Sequence, residues 1–127
     1  MPIKVYRNDI VEPYDIDETL VMHDYEAYPN SDKIQVWDTS LNGRVTLAVN
    51  TNMVKLLKHS RTKGAVVIAW SRGGVEWAEA VIKALDLERY VDIILSKPRV
   101  YFDDTDVSSW LKDRVYIGPN VKYKQTT

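Results

Sequence analysis

The sequence contains no cysteine, which excludes disulfide frameworks, zinc–thiolate centres, iron–sulfur clusters and cysteine nucleophiles. Phenylalanine occurs once, glycine and proline five times each, and neither charge dominates: 17 basic against 18 acidic side chains leave a formal net charge of −1. A protein that holds nucleic acid mainly through its phosphates carries a basic excess, and this one has none. Long apolar runs are also missing. The longest, Ala65-Val66-Val67-Ile68-Ala69-Trp70, is far shorter than the roughly 20 residues that cross a bilayer. The leading Met-Pro-Ile-Lys-Val-Tyr-Arg has no apolar signal-peptide core. Two distant histidines, His23 and His59, make a poor zinc site. These absences predict a cytoplasmic protein with no membrane partner, and 127 residues predict a single domain, 1–127.

What is present is a pattern of strands alternating with helices. The run Ala65 through Trp70 reads as a strand buried on both faces of a parallel sheet. Ser71-Arg72-Gly73-Gly74 turns the chain, and Val75, Ala78, Ile82 and Leu85 follow at helical spacing. Residues 91–95 supply the next strand, Val100-Tyr101-Phe102 a further short one, residues 108–112 a short helix and residues 114–117 a closing strand. Upstream, residues 52–59 read as a helix and residues 10–16 as the first strand. Pro13 within that strand predicts a bulge or a late start, because proline cannot donate to a ladder. Asn42-Gly43 between two apolar runs is a strong hairpin signal and places a hairpin at about residues 33–50. The expected fold is α/β: a three-layer, Rossmann-like parallel sheet with helices on both faces and a β-hairpin flap inserted after strand one.

In open parallel sheets the reactive site lies beyond the carboxyl ends of the strands. Strand one ends in Asp15-Ile16-Asp17-Glu18-Thr19, the central strand in Ser71, the next before Lys97, and the short one before Asp103-Asp104. Carboxylates are hard ligands suited to Mg²⁺, while a hydroxyl and a lysine bind phosphoryl oxygens and offset transition-state charge. The combination suits a phosphoryl group held beside a divalent cation.

The run Tyr14-Asp15-Ile16-Asp17-Glu18-Thr19-Leu20-Val21 resembles motif I of the haloacid dehalogenase (HAD) superfamily, Asp-x-Asp-x-Thr-Leu/Val after a strand. Ser71, Lys97 and Asp103-Asp104 resemble motifs II, III and IV in order, over residues of about 10 to 117. Two features depart from the pattern: Glu12 and Pro13 interrupt the apolar first strand, and motif IV lacks its commoner Gly-Asp form. The resemblance implies that Asp15 is the nucleophile that forms an aspartyl-phosphate and Asp17 the general acid/base. It implies Mg²⁺ as cofactor, held by Asp15, Asp17 through its carbonyl, and Asp104, with Asp103 as ligand or support. Thr19, Ser71, Arg72, Gly73 and Lys97 form the implied phosphate-binding set, with Thr19 buttressing the loop. Ser71 also fits a helix cap, Lys97 a surface lysine, and the Gly73-Gly74 turn an anion-favouring helix start.

The segments after motif I and between motifs II and III are too short for a cap domain, so the resemblance implies an open, flap-only site. Phosphorylated small molecules, nucleotides or polynucleotide ends are the expected partners, and oligomerisation is open. A bacterial or phage-infected cell is the expected setting. Trp37 and Tyr25 suit stacking of a base or sugar, and Trp37 equally suits packing of the hairpin. The expected function is Mg²⁺-dependent phosphomonoester hydrolysis. The alternatives are a non-catalytic HAD-like binding protein, a phosphotransferase, or a receiver-type phosphoacceptor domain. A receiver carries its phosphoacceptor aspartate at the third strand, where this sequence has none.

Overall fold

The computed structural model describes residues 2–111, 113–118 and 121–126. They fall into two compact units, Met1–Lys97 and Pro98–Thr127. The first contains β1 (Val11–Asp15), β2 (Val21–Met22), β3 (Lys33–Asp38), β4 (Gly43–Val49), α1 (Thr51–Thr62), β5 (Val66–Ser71), α2 (Val75–Ala84) and β6 (Ile93–Ser96). It is mixed α/β: a parallel three-stranded sheet in the order β1-β5-β6, two helices, and an antiparallel sheet in the order β2-β4-β3.

Strand β5 lies at the centre of the parallel sheet. Its consecutive Val66 and Val67 are both buried, as is Ala69, the sign of a strand covered on both faces. Helix α1 begins where the Asn50 side chain accepts the Met53 N–H at 3.3 Å. It buries Met53, Leu57 and Ser60 along one stripe. The Ser60 hydroxyl meets the buried Tyr14 hydroxyl of β1 at 2.5 Å, which gives both polar atoms a partner away from water. Helix α2 buries Ala78, Val81 and Ile82 and lies against β3, β5 and β6.

The Asn42-Gly43 signal marks a real hairpin. Strands β3 and β4 pair from Lys33↔Ala48 to Asp38↔Gly43, with Asn42 at φ 50°, a left-handed conformation that Asn tolerates better than most residues. Strand β2 adds to the outer side of β4.

Pro13 causes no bulge. Its strand runs in unbroken register, Val11↔Val66 to Asp15↔Trp70. Ile16 N–H donates to Trp70 O and Val66 N–H to Ile10 O, so the even-numbered residues of β1 face β5. Pro13 therefore faces the other way, where no described strand pairs with β1, and its missing N–H costs no ladder bond.

The second unit contains an antiparallel pair, β7 (Arg114–Gly118) and β8 (Val121–Thr126). The closing strand expected at 114–117 is thus present but pairs with β8. Val100-Tyr101-Phe102 is not a strand; it is extended and unpaired, with Phe102 93% exposed. The helix expected at 108–112 is reduced to one 3₁₀ turn, Val107–Ser109, whose first N–H groups are capped by Asp106; Lys112 lies outside the described residues. Tyr101 and Trp110 meet edge to face with centroids 6.0 Å apart. Among the described residues, no helix is long and apolar enough to cross a membrane.

Candidate active site

The carboxyl ends of β1, β5 and β6 bring together Asp15, Asp17, Ser71 and Lys97. Backbone bonds fix the convergence: Ile16 N–H donates to Trp70 O at 3.1 Å and Lys97 N–H to Ser71 O at 2.8 Å. Beyond β1 the chain coils tightly around one carbonyl, since Ile16 O accepts from Leu20 and Val21 at 3.0 and 3.2 Å. Glu18 sits at φ 62° in this coil, and its carboxylate accepts the His23 N–H at 3.1 Å.

Asp17 is the hub. Its Oδ2 accepts the Ser71 hydroxyl at 2.7 Å, while Oδ1 accepts the Trp77 indole N–H at 2.8 Å and bonds His23 Nε2 at 2.7 Å. A carboxylate offers only acceptors, so Nε2 carries the proton in this pair. The His23 ring stacks on Trp77 with centroids 6.0 Å apart. Burial pushes the Asp17 carboxyl up, but hydrogen bonds from His23, Ser71 and Trp77 outweigh it and leave the pKa below the usual carboxylate value.

Asp15 is in the opposite condition. Burial pushes its pKa up, the neighbouring Asp17 charge adds to that, and Lys97 only partly offsets it. Lys97 Nζ stands 3.8 Å from Asp15 Oδ1, and the Thr19 side chain also favours the charged form of that carboxylate, more weakly than Lys97. Both side chains of the pair remain about a third exposed, so the site is open to solvent.

Ser71 is fully buried and serves two partners: it donates to Asp17 and accepts the Gly73 N–H at 2.9 Å. Gly74 N–H donates to Ser71 O at 3.2 Å. The N–H groups of Gly73 and Gly74, expected to be free for an anion, are thus engaged inside the turn. A Cβ on Gly73 would stand 3.2 Å from Ser71 Oγ and 3.3 Å from Trp77 Cδ1, so a side chain there would push Ser71 or Trp77 aside by a few tenths of an ångström. Arg72 is exposed in this turn and takes no part in the Asp17 network.

Asp103 and Asp104 belong to the second unit. Asp103 accepts the N–H groups of Asp104 and Thr105 at 2.7 and 3.2 Å. Its pKa is lowered, by the Asp104 side chain first and by Thr105 next. There it closes a local turn.

Two participants escape a reading of the sequence, His23 and Trp77. No motif spacing marks either one. Tyr25 heads a 3₁₀ turn (Tyr25–Ala27) outside the Asp17 network.

Among the described residues no group of three histidine or carboxylate side chains is gathered for a metal. The donors that the first unit offers are the Asp15 carboxylate and the Asp17 carbonyl. Both are hard oxygen donors, and Asp15 carries a half-buried charge that Lys97 does not fully balance. Mg²⁺ takes few protein carboxylates and keeps several waters, so the donor chemistry fits.

Compared with known proteins, the chain matches no family, no curated protein and no solved structure.

Proposed function

We propose that this protein is a phosphomonoester hydrolase of HAD type, with the parallel sheet extended to the three-layer arrangement of that superfamily and acting in the cytoplasm. One observation carries the reading: three adjacent parallel strands deliver a carboxylate paired with a lysine, a second, strongly hydrogen-bonded carboxylate and a buried hydroxyl to one edge. The ordered motif resemblance supports the same reading.

Asp15 attacks phosphorus; its carboxylate oxygen bonds to phosphorus as the bond to the leaving oxygen breaks. Lys97 draws the phosphoryl oxygens toward Asp15 and offsets the repulsion between two anions. Mg²⁺ would be held in the first unit by the Asp15 carboxylate and the Asp17 carbonyl, and would supply charge neutralisation for the phosphoryl group. Asp17 gives a proton to the leaving oxygen, then takes one from the water that releases phosphate from Asp15.

That role needs a proton on Asp17, and three donors hold it ionised. Ser71 resolves the conflict. Its hydroxyl turns from Asp17 to a phosphoryl oxygen when substrate binds, which removes one donor and lets the Asp17 pKa rise. Thr19 holds Asp15 in position, while Arg72 is available to the substrate from the turn.

The same saturation of Asp17 favours a second reading, a non-catalytic binding protein in which the network is structural. Hydrolysis of an aryl phosphate with and without Mg²⁺ separates the two. The catalytic reading expects metal-dependent release that Asp15→Asn abolishes. No release, together with failure of beryllium fluoride to bind Asp15, overturns it.

A further inference from the structure

Beside the reacting carboxylates lies a cleft of about 480 Å³, within the range of small-ligand pockets. Trp37, Asp38 and Ser40 of the hairpin wall one part of it, Glu76 and Trp77 of α2 another, and Ser96 comes from the end of β6. Trp77 also bonds Asp17, so the α2 wall of the cleft is shared with the Asp17 network. We propose that it is the leaving-group subsite and takes the planar, uncharged base of a nucleoside monophosphate, while rejecting substrates that bring further phosphates. This inference rests on the reading of Asp15 as phosphoryl acceptor.

Two independent features carry it. The first is Trp37, a residue 51% exposed while its neighbour Val36 is buried. An indole accessible at a cleft is a stacking surface that every base can use. The second is charge. No lysine, arginine or histidine lines the cleft, and its two ionisable residues are Asp38 and Glu76. Arg44, opposite Trp37 in the hairpin register and so on the same face of that sheet, does not itself line the cleft. Two carboxylates repel a second phosphate and accept hydrogen bonds from sugar hydroxyls or an exocyclic amine. A polynucleotide end or a nucleoside diphosphate therefore meets the wrong charge.

The test compares kcat/KM for adenosine 5′-monophosphate, adenosine 5′-diphosphate and glycerol phosphate. The monophosphate is expected to exceed glycerol phosphate by about 10- to 100-fold, the size of one stacked base, and to exceed the diphosphate. Trp37→Ala should collapse the first ratio and Trp37→Phe preserve most of it. Asp38→Lys should raise the diphosphate-to-monophosphate ratio at least tenfold. Equal losses for both monoesters in Trp37→Ala, or no preference in the wild type, overturn the subsite.

A binding arm keeps this separate from the catalytic reading. In Asp15→Asn, titration with adenosine 5′-monophosphate should shift the Trp37 indole N–H resonance, and the diphosphate should do so more weakly. A shift in the variant, together with a wild type that hydrolyses neither monoester with Mg²⁺, sinks the phosphatase and leaves the subsite standing. Hydrolysis of glycerol phosphate without any Trp37 shift does the reverse.

Discussion

His23 Nε2 and Trp77 Nε1 converge on a single oxygen of Asp17, at 2.7 and 2.8 Å, while their rings stack on each other. One residue directly follows β2 and the other lies in α2. Their meeting ties two distant segments to one carboxylate and fixes which way it faces.

Trp77→Phe keeps a ring for His23 and deletes the N–H. The Asp17 pKa should rise, since one of the donors that lowers it is gone. The expected readout is an upward move of the limb on which the rate falls with rising pH, where Asp17 loses the proton it donates, with the folded state retained. An unmoved limb would show that Trp77 does not tune Asp17.

Asp15 and Asp17 should respond to amidation with opposite signs. The lowered pKa of Asp17 means that its contribution to stability is complete above the unfolded value of about 3.9 and is lost as pH falls through the folded one. Asp17→Asn should therefore cost about 1–3 kcal/mol at pH 7, the scale of hydrogen bonds to a charged group. The raised pKa of Asp15 means that ionisation above about pH 3.9 costs stability, so Asp15→Asn should raise the melting temperature at pH 7. Thermal melts of both variants at pH 7 check this, and shifts of the same sign would contradict it.

Ser71→Ala removes the Asp17 donor and leaves the Gly73 N–H without its acceptor. Loss of a buried hydroxyl with two partners should cost about 1–3 kcal/mol. Loss of a phosphoryl contact should lower kcat by about 10²-fold. Denaturant melts and steady-state kinetics separate the two effects, and a stability loss without a rate loss would confine Ser71 to a structural role.

Gly74 begins α2 at φ 106°, a conformation that L side chains resist. Gly74→Ala should destabilise the fold by more than about 1 kcal/mol. A denaturant midpoint equal to wild type would refute the strain.

The parts of this architecture most legible in the sequence are those with a local cause. The unbroken run Ala65 through Trp70 has no reading except a buried strand, and Asn42-Gly43 specifies its own turn. The strand-end residues Asp15, Asp17, Ser71 and Lys97 were legible because a parallel sheet collects strand ends at one edge. His23 was not, because its reach to Asp17 depends on the left-handed Glu18 and the coil around Ile16 O, a path that no periodicity encodes. Trp77 was hidden for a related reason: helical spacing says which face it shares, not where its N–H arrives. Val100-Tyr101-Phe102 misleads because three apolar residues resemble a strand, yet a strand needs a partner, and these have none among the described residues.

Pro13, placed on the outer side of β1, bears on the protein's behaviour at high concentration. An unpaired sheet margin invites a second chain to extend it, and that is how many soluble proteins begin to assemble into fibres. A proline facing outward removes a donor from the middle of that margin, so an incoming strand would find its hydrogen-bond ladder interrupted. The residue that breaks the apolar pattern of the first strand thereby guards against self-association.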